Sequence, residues 1–113
     1  MSGYGRGVPS PEPAVDVVDV PDRERYEIHR EGQTLGFSAY QKANGLIVFT
    51  HTEVDPGLEG QGIGSALVRA ALDDVRRQGV PVLPICPFVA QWIARHPDYH
   101  DLDYRRPASR VTD

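Results

Sequence analysis

The sequence predicts an α/β domain: an antiparallel β-meander followed by a β-α-β-α unit, on one mixed sheet. Four observations lead there. Up to Val54, apolar residues recur with the period of strands, and turn residues separate the runs. After Ile63 they recur with the period of a helix. A glycine-rich stretch lies between these regions. An apolar run after the helix then returns to the sheet as a parallel crossover strand.

The elements follow in order. Ala14 to Val20 is a weak strand candidate ended by Pro21. Arg23 to Arg30 alternates charge with Tyr26 and Ile28, as a half-exposed strand does. Glu31-Gly32-Gln33 is a turn. Thr34 to Gln41 is the next strand, with Leu35, Phe37, Ala39 and partly Gln41 on one face. Asn44-Gly45 then turns the chain, because both residues tolerate positive φ. Leu46 to Val54, rich in β-branched residues, is the strongest strand. Asp55 to Gly64 reads as loop. Ile63, Leu67, Val68, Ala71, Leu72 and Val75 mark one face of a helix that Gly79 stops. Asp73 precedes Arg76 and Arg77 at the spacing of favourable helix pairs. Val80 to Ile85 is a buried strand, kept short or at an edge by two prolines. Pro87 to Arg95 is a short helix with Pro at its first position, and His96-Pro97 ends it. From Asp98 onward the chain is polar and expected to fray.

Composition narrows the function. The chain has 113 residues, which suits one domain with a modest core. Residues 1–14 alternate Gly and then Pro and read as a disordered tail, residues 15–104 as the domain, and residues 105–113 as a flexible C-terminal tail. No run is long and apolar enough to span a bilayer, and no secretory segment is visible. One cysteine excludes an internal disulfide framework and fits a reducing cytoplasm. The close histidine pair His96/His100 is interrupted by Pro97 and lacks the Glu of zinc-protease helices, so no metal is expected. Twelve basic against sixteen acidic residues is the wrong balance for a nucleic-acid binder.

Eleven Gly and ten Pro are not spread evenly: six of them fall in residues 1–13 and five between Pro56 and Gly64. The second cluster, Glu59-Gly60-Gln61-Gly62-Ile63-Gly64-Ser65, stands between a strand and an amphipathic helix. Successive N–H groups at a helix start, with no Cβ in the way, form an anion pocket suited to a phosphate or pyrophosphate. The alternate-glycine spacing is not that of a dinucleotide fold, and no Gly-Lys-Ser/Thr ending marks an NTPase loop.

Val54-Asp55-Pro56 followed by Gly60-Gln61-Gly62-Ile63-Gly64-Ser65-Ala66-Leu67 resembles the acetyl-CoA signature of the GNAT N-acetyltransferase superfamily. His51-Thr52-Glu53-Val54 and Cys86-Pro87-Phe88 resemble its miniature, cysteine-containing CG branch, and the likeness covers roughly residues 22–103. The resemblance implies a compact GNAT-like fold, acetyl-CoA as co-substrate and an amine acceptor, small molecule or protein. It implies that the amides from Gly60 to Gly64, with Ser65, hold the CoA pyrophosphate. The backbone N–H of Val54 would polarise the thioester. Where the family has Arg or Gln at the first signature position, this chain has Glu59.

Amine acetylation needs a polarised carbonyl, a base and a stabilised leaving thiolate. His51 and Glu53 share one strand face beside the loop and are candidates for base or amine contact. Cys86 sits at the N-cap of the second helix, where a thiol's pKa falls. It reads as nucleophile, as wall of the thiol pocket, or as core. Tyr99 is a candidate phenol near the leaving sulfur. Trp92, Phe88, Val89 and Ile93 read as core. The alternative to an enzyme is a non-catalytic CoA-binding or protein-interaction module.

Overall fold

The computed structural model describes residues 14–105. The expectations for the tails therefore lie outside the described residues, apart from Ala14 and Arg105. Five strands, β1 (Asp16–Val20), β2 (Arg25–Arg30), β3 (Gln33–Ala43), β4 (Leu46–Val54) and β5 (Val82–Pro84), form one sheet in the order β1-β2-β3-β4-β5. The first four are antiparallel and β5 is parallel to β4. Helix α1 (Ile63–Gln78) makes the crossover and α2 (Pro87–Ala94) follows β5. No helix among the described residues is long and apolar enough to cross a membrane.

The turn between β3 and β4 carries the expected residues. Asn44 and Gly45 have φ of 53° and 77°, the pair of positive values that a two-residue turn requires. Helix α1 stops at Gly79, with φ 73° and its N–H on Arg76 O and Val75 O. Helix α2 starts at Pro87, directly after the N-cap Cys86.

Both helices cover one sheet face. Tyr26, Ile28, Tyr40, Ile47, Phe49 and Val82 are buried there with the apolar stripe of α1 and with Val89, Trp92 and Ile93 of α2. The Tyr26 hydroxyl donates to Asp74 of α1 over 2.7 Å. The opposite face carries no helix. Directly paired residues share a face, so the pairs Arg25↔Ala39↔His51 and Glu27↔Phe37↔Glu53 place all six on it.

Four expectations change. First, β1 is a full strand, since Val17 packs on the core and all five of its residues pair with β2. Second, β5 shrinks to three edge residues. Third, Phe37 and Ala39 do not face the core. Ile28 pairs with Gly36 but His29 pairs with Thr34, so a bulge at Leu35 resets the alternation and turns Gly36, Ser38 and Tyr40 inward. Fourth, the chain does not fray after Asp98. Residues Pro97–Leu102 form a 3-10 helix with Tyr99 and Leu102 buried. That segment also redirects charges on α1: Arg76 pairs with Asp101 at 2.9 Å, Asp73 accepts from the Tyr99 hydroxyl, and Asp74 rather than Asp73 pairs with Arg77.

Candidate functional site

The site begins where β4 loses a neighbour. β5 pairs with β4 only from Ile47 to Phe49. There the Phe49 carbonyl accepts from both Ile85 N and Cys86 N, at 3.0 and 2.9 Å, as the chain turns away into α2. On its other side β4 stays paired with β3 through Val54. Tyr40 opposes Phe49 and Ala39 opposes His51, so Thr50 is a bulge residue. Asp55 N donates to Leu35 O over 2.8 Å. Strand alternation therefore sends the Val54 N–H the opposite way, into the gap left by β5.

The loop after β4 is shaped by local bonds. Asp55 Oδ1 caps a 3-10 turn, Pro56–Leu58, by accepting from Gly57 N at 2.9 Å. Gly60 and Gly62 have φ of 86° and 78°, a region that favours glycine. The first bond of α1 runs from Ala66 N to Gly62 O at 3.0 Å. The N–H groups of Ile63, Gly64 and Ser65 thus have no intrahelical partner, and Gly62 as N-cap has no side chain to serve them. They open on a cavity of about 470 Å³ walled also by Val54, Leu58, Gly60 and Phe88. Glu59 lines this cavity too, and its carboxylate makes no ion pair among the described residues. Gln61 does not line it, and its N–H is held by Leu58 O.

Gly64 has another role than Gly60 and Gly62. Its φ is ordinary for a helix, and its missing Cβ makes room for the Phe88 ring. Phe88 is 43% exposed and lines the cavity, so it is not core as expected, whereas Trp92, Val89 and Ile93 are buried. Trp92 Nε1 donates to Ser65 Oγ over 2.8 Å and ties α2 to the first turn of α1. No sequence signal couples Phe88 to Gly64. The only hint was its place in the first turn of α2, beside Cys86.

His51 and Glu53 do share a face, with His51 Nε2 and Glu53 Oε2 2.9 Å apart and both side chains more than half exposed. A carboxylate only accepts, so Nε2 carries the hydrogen and Nδ1 is the nitrogen left to take a proton. The rings of Phe37 and His51 lie 6.1 Å apart. Beside them Glu27 is buried yet ionic: it bonds Arg25 Nε and His29 Nε2, each at 2.8 Å. The His29 hydrogen bond first, then that of Arg25, holds its pKa below the usual carboxylate range.

Cys86 lies apart from this pair. It is buried, and its thiol donates to Thr52 Oγ1 at 3.4 Å, while Thr52 shares a 2.9 Å hydrogen bond with the fully buried Ser38. Thr52 is on the helix-covered face and His51 on the open one, so His51 is not the partner of Cys86. His96 is stacked on Trp92, with ring centroids 3.7 Å apart and Nδ1 on Trp92 O, past the far end of α2. The Tyr99 hydroxyl donates to Asp73 at 2.8 Å and accepts from Arg69 at 3.3 Å, which places it between α1 and the last 3-10 helix. Among the described residues, no three of His, Cys, Asp or Glu are grouped to hold a metal ion.

Comparison with known proteins agrees with this architecture. The fold is similar to the solution structure of a GCN5-like protein from Staphylococcus aureus, with a TM-score of 0.64 and 21% identity over 87% of this chain and 96% of that one. No curated protein matches the chain. A family model described as GCN5-related N-acetyl-transferase matches residues 25–102. That span runs from β2 through the glycine loop to the last 3-10 helix, and the chain belongs to the GCN5-related N-acetyltransferases.

Proposed function

We propose that the chain transfers an acetyl group from acetyl-CoA to a primary amine. The observation that carries this reading is the set of three N–H groups, of Ile63, Gly64 and Ser65, with no partner among the described residues, opening on the cavity beside the unpaired end of β4. An anion suits those donors, and the helix dipole adds to the attraction. Gly60 and Gly62 keep side chains out of the approach, and Ser65 is fixed by Trp92. These residues would hold the CoA pyrophosphate.

Acetyl-CoA supplies the acetyl group as an activated thioester. The net exchange converts ammonium and thioester to amide and thiol with one proton released. The residues of this chain divide the remaining tasks. The Val54 N–H is aimed where a carbonyl oxygen can accept it. His51 Nδ1, oriented through the Nε2 bond to Glu53, takes the ammonium proton. Cys86 is buried on Thr52 and does not line the cavity, so no step is assigned to it. The single free cysteine agrees with a reducing, cytoplasmic setting.

Glu59 favours a second reading, a CoA-binding module without turnover, because a carboxylate in the cavity wall weakens anion binding. Calorimetric titration with acetyl-CoA, then thiol release on adding a broad amine panel, separates the two. Binding with amine-dependent release supports transfer; binding without release supports the module. In Gly62→Asp, binding should be lost, since the new residue is strained at φ 78° and adds charge to the anion site.

A further inference from the structure

A second cavity, of about 230 Å³, opens against the same end of β4. β3 contributes Leu35, Gly36 and Phe37 to its wall, and β4 with the following loop contributes Glu53 to Pro56. Val54, Asp55 and Pro56 wall both cavities, so one stretch of backbone stands between them. The lining is mostly apolar, and among the described residues its only ionisable side chains are Glu53 and Asp55. Each carboxylate has one oxygen committed, Glu53 Oε2 to His51 and Asp55 Oδ1 to Gly57 N. Arg25 is not part of this wall; its guanidinium lies over the Phe37 ring at 4.3 Å and is engaged by Glu27.

We propose that this cavity is the acceptor site and that the acceptor is a small primary amine on an apolar or aromatic tail, with no carboxylate beside the amine. The assignment rests on the acetyl-transfer reading above. The volume suits a small ligand: it lies below the usual range for drug-sized ligands. Charge selects its head group. An ammonium is attracted by Glu53 and Asp55, whereas an acceptor that also carries a carboxylate meets two like charges and no cation. Phe37 offers its ring to the tail. His51 stands beside both Phe37 and Glu53, so the proton leaving the ammonium has a place to go.

The test compares 2-phenylethylamine with phenylalanine, which differs by one carboxylate, and with a Gly-Lys-Gly peptide blocked at both ends. Expected is a kcat/KM for 2-phenylethylamine about 100-fold above that for phenylalanine and above that for the peptide. Phe37→Ala should lower it about tenfold, and Phe37→Leu less, with the calorimetric affinity for acetyl-CoA unchanged. In the CoA-saturated protein, 2-phenylethylamine should shift the amide resonances of Gly36, Phe37 and Glu53. Failure of the wild-type chain to bind acetyl-CoA would overturn the transfer reading and the acceptor site with it. Acetyl-CoA binding with equal use of phenylalanine, with a preference for the peptide, or with shifts elsewhere would overturn the acceptor site alone.

Discussion

The ring of Phe88 rests on Gly64: a Cβ built on that glycine would lie 2.7 Å from Phe88 Cζ. The contact joins the first turn of α1 to the first turn of α2 at the wall of the larger cavity. Gly64→Ala should therefore separate stability from ligand binding. Alanine is the better helix former by about 1 kcal/mol, and the half-exposed ring can swing away. The melting temperature should stay level or rise slightly, while calorimetry should show weaker acetyl-CoA binding because the displaced ring enters the cavity. Unchanged affinity would mean that Phe88 does not shape the site.

Gly36 gives the opposite outcome. A Cβ there would lie 2.6 Å from the Glu53 carbonyl oxygen and 3.0 Å from Val54 Cα, and both are backbone atoms in a paired strand. Gly36→Ala should cost about 1–3 kcal/mol in denaturant unfolding. A stable variant would show that β3 and β4 can part at this point.

Glu27 makes stability depend on pH. Its pKa is depressed in the folded chain, chiefly by the His29 hydrogen bond and then by Arg25. Its stabilisation is thus fully present above the ordinary value of 4.5 and is lost as pH falls through the lower, folded value. Glu27→Gln should lower stability at neutral pH and flatten the acid limb of the stability curve. Parallel acid limbs for the two proteins would assign that limb to other carboxylates, Asp74 first, whose pKa is lowered by the Tyr26 hydrogen bond.

Tyr99 is placed for structure rather than for the leaving sulfur. Its hydroxyl is taken up by Asp73 and Arg69, and burial first, then the Asp73 bond, raises its pKa. Tyr99→Phe should cost about 1 kcal/mol of stability and leave kcat within about twofold, a change of less than 1 kcal/mol in barrier. A large fall in kcat with unchanged folding would restore the phenol to the chemistry.

Cys86→Ser tests the thiol directly. Cys86 is buried on Thr52 and lies on the other side of the sheet from His51. Intact-mass measurement of the wild-type chain with acetyl-CoA should show no acetylated protein, and the serine variant should keep turnover. A cysteine-dependent acetyl adduct that forms and decays with added amine would make Cys86 the nucleophile.

Much of this was legible from local chemistry. The Asn44-Gly45 turn, the Gly79 stop and the Pro87 start each depend on the φ a residue prefers or on the N–H it lacks. Gly60 and Gly62 belong to the same class. His51 and Glu53 were readable as neighbours because no bulge falls between them. Phe37 was not, because one extra residue at Leu35 reverses the faces and nothing in the local pattern marks it. The segment from Pro97 to Leu102 looked polar, yet Arg76, Asp73 and Arg69 bind it from α1, and Tyr99 and Leu102 pack into the core.

The sequence by itself determined the strand and helix order and a glycine-lined start to α1, since periodicity, turn preference and unpaired N–H groups are properties of short segments. Only the tertiary structure decided that Phe88 closes on Gly64, that Cys86 faces Thr52 rather than a histidine, and that a second cavity with Phe37 and Glu53 shares a wall with the first. Those are distances between residues far apart in the chain. They are set by bulges, register and packing, and close contacts of this kind have no local signature for a sequence to display.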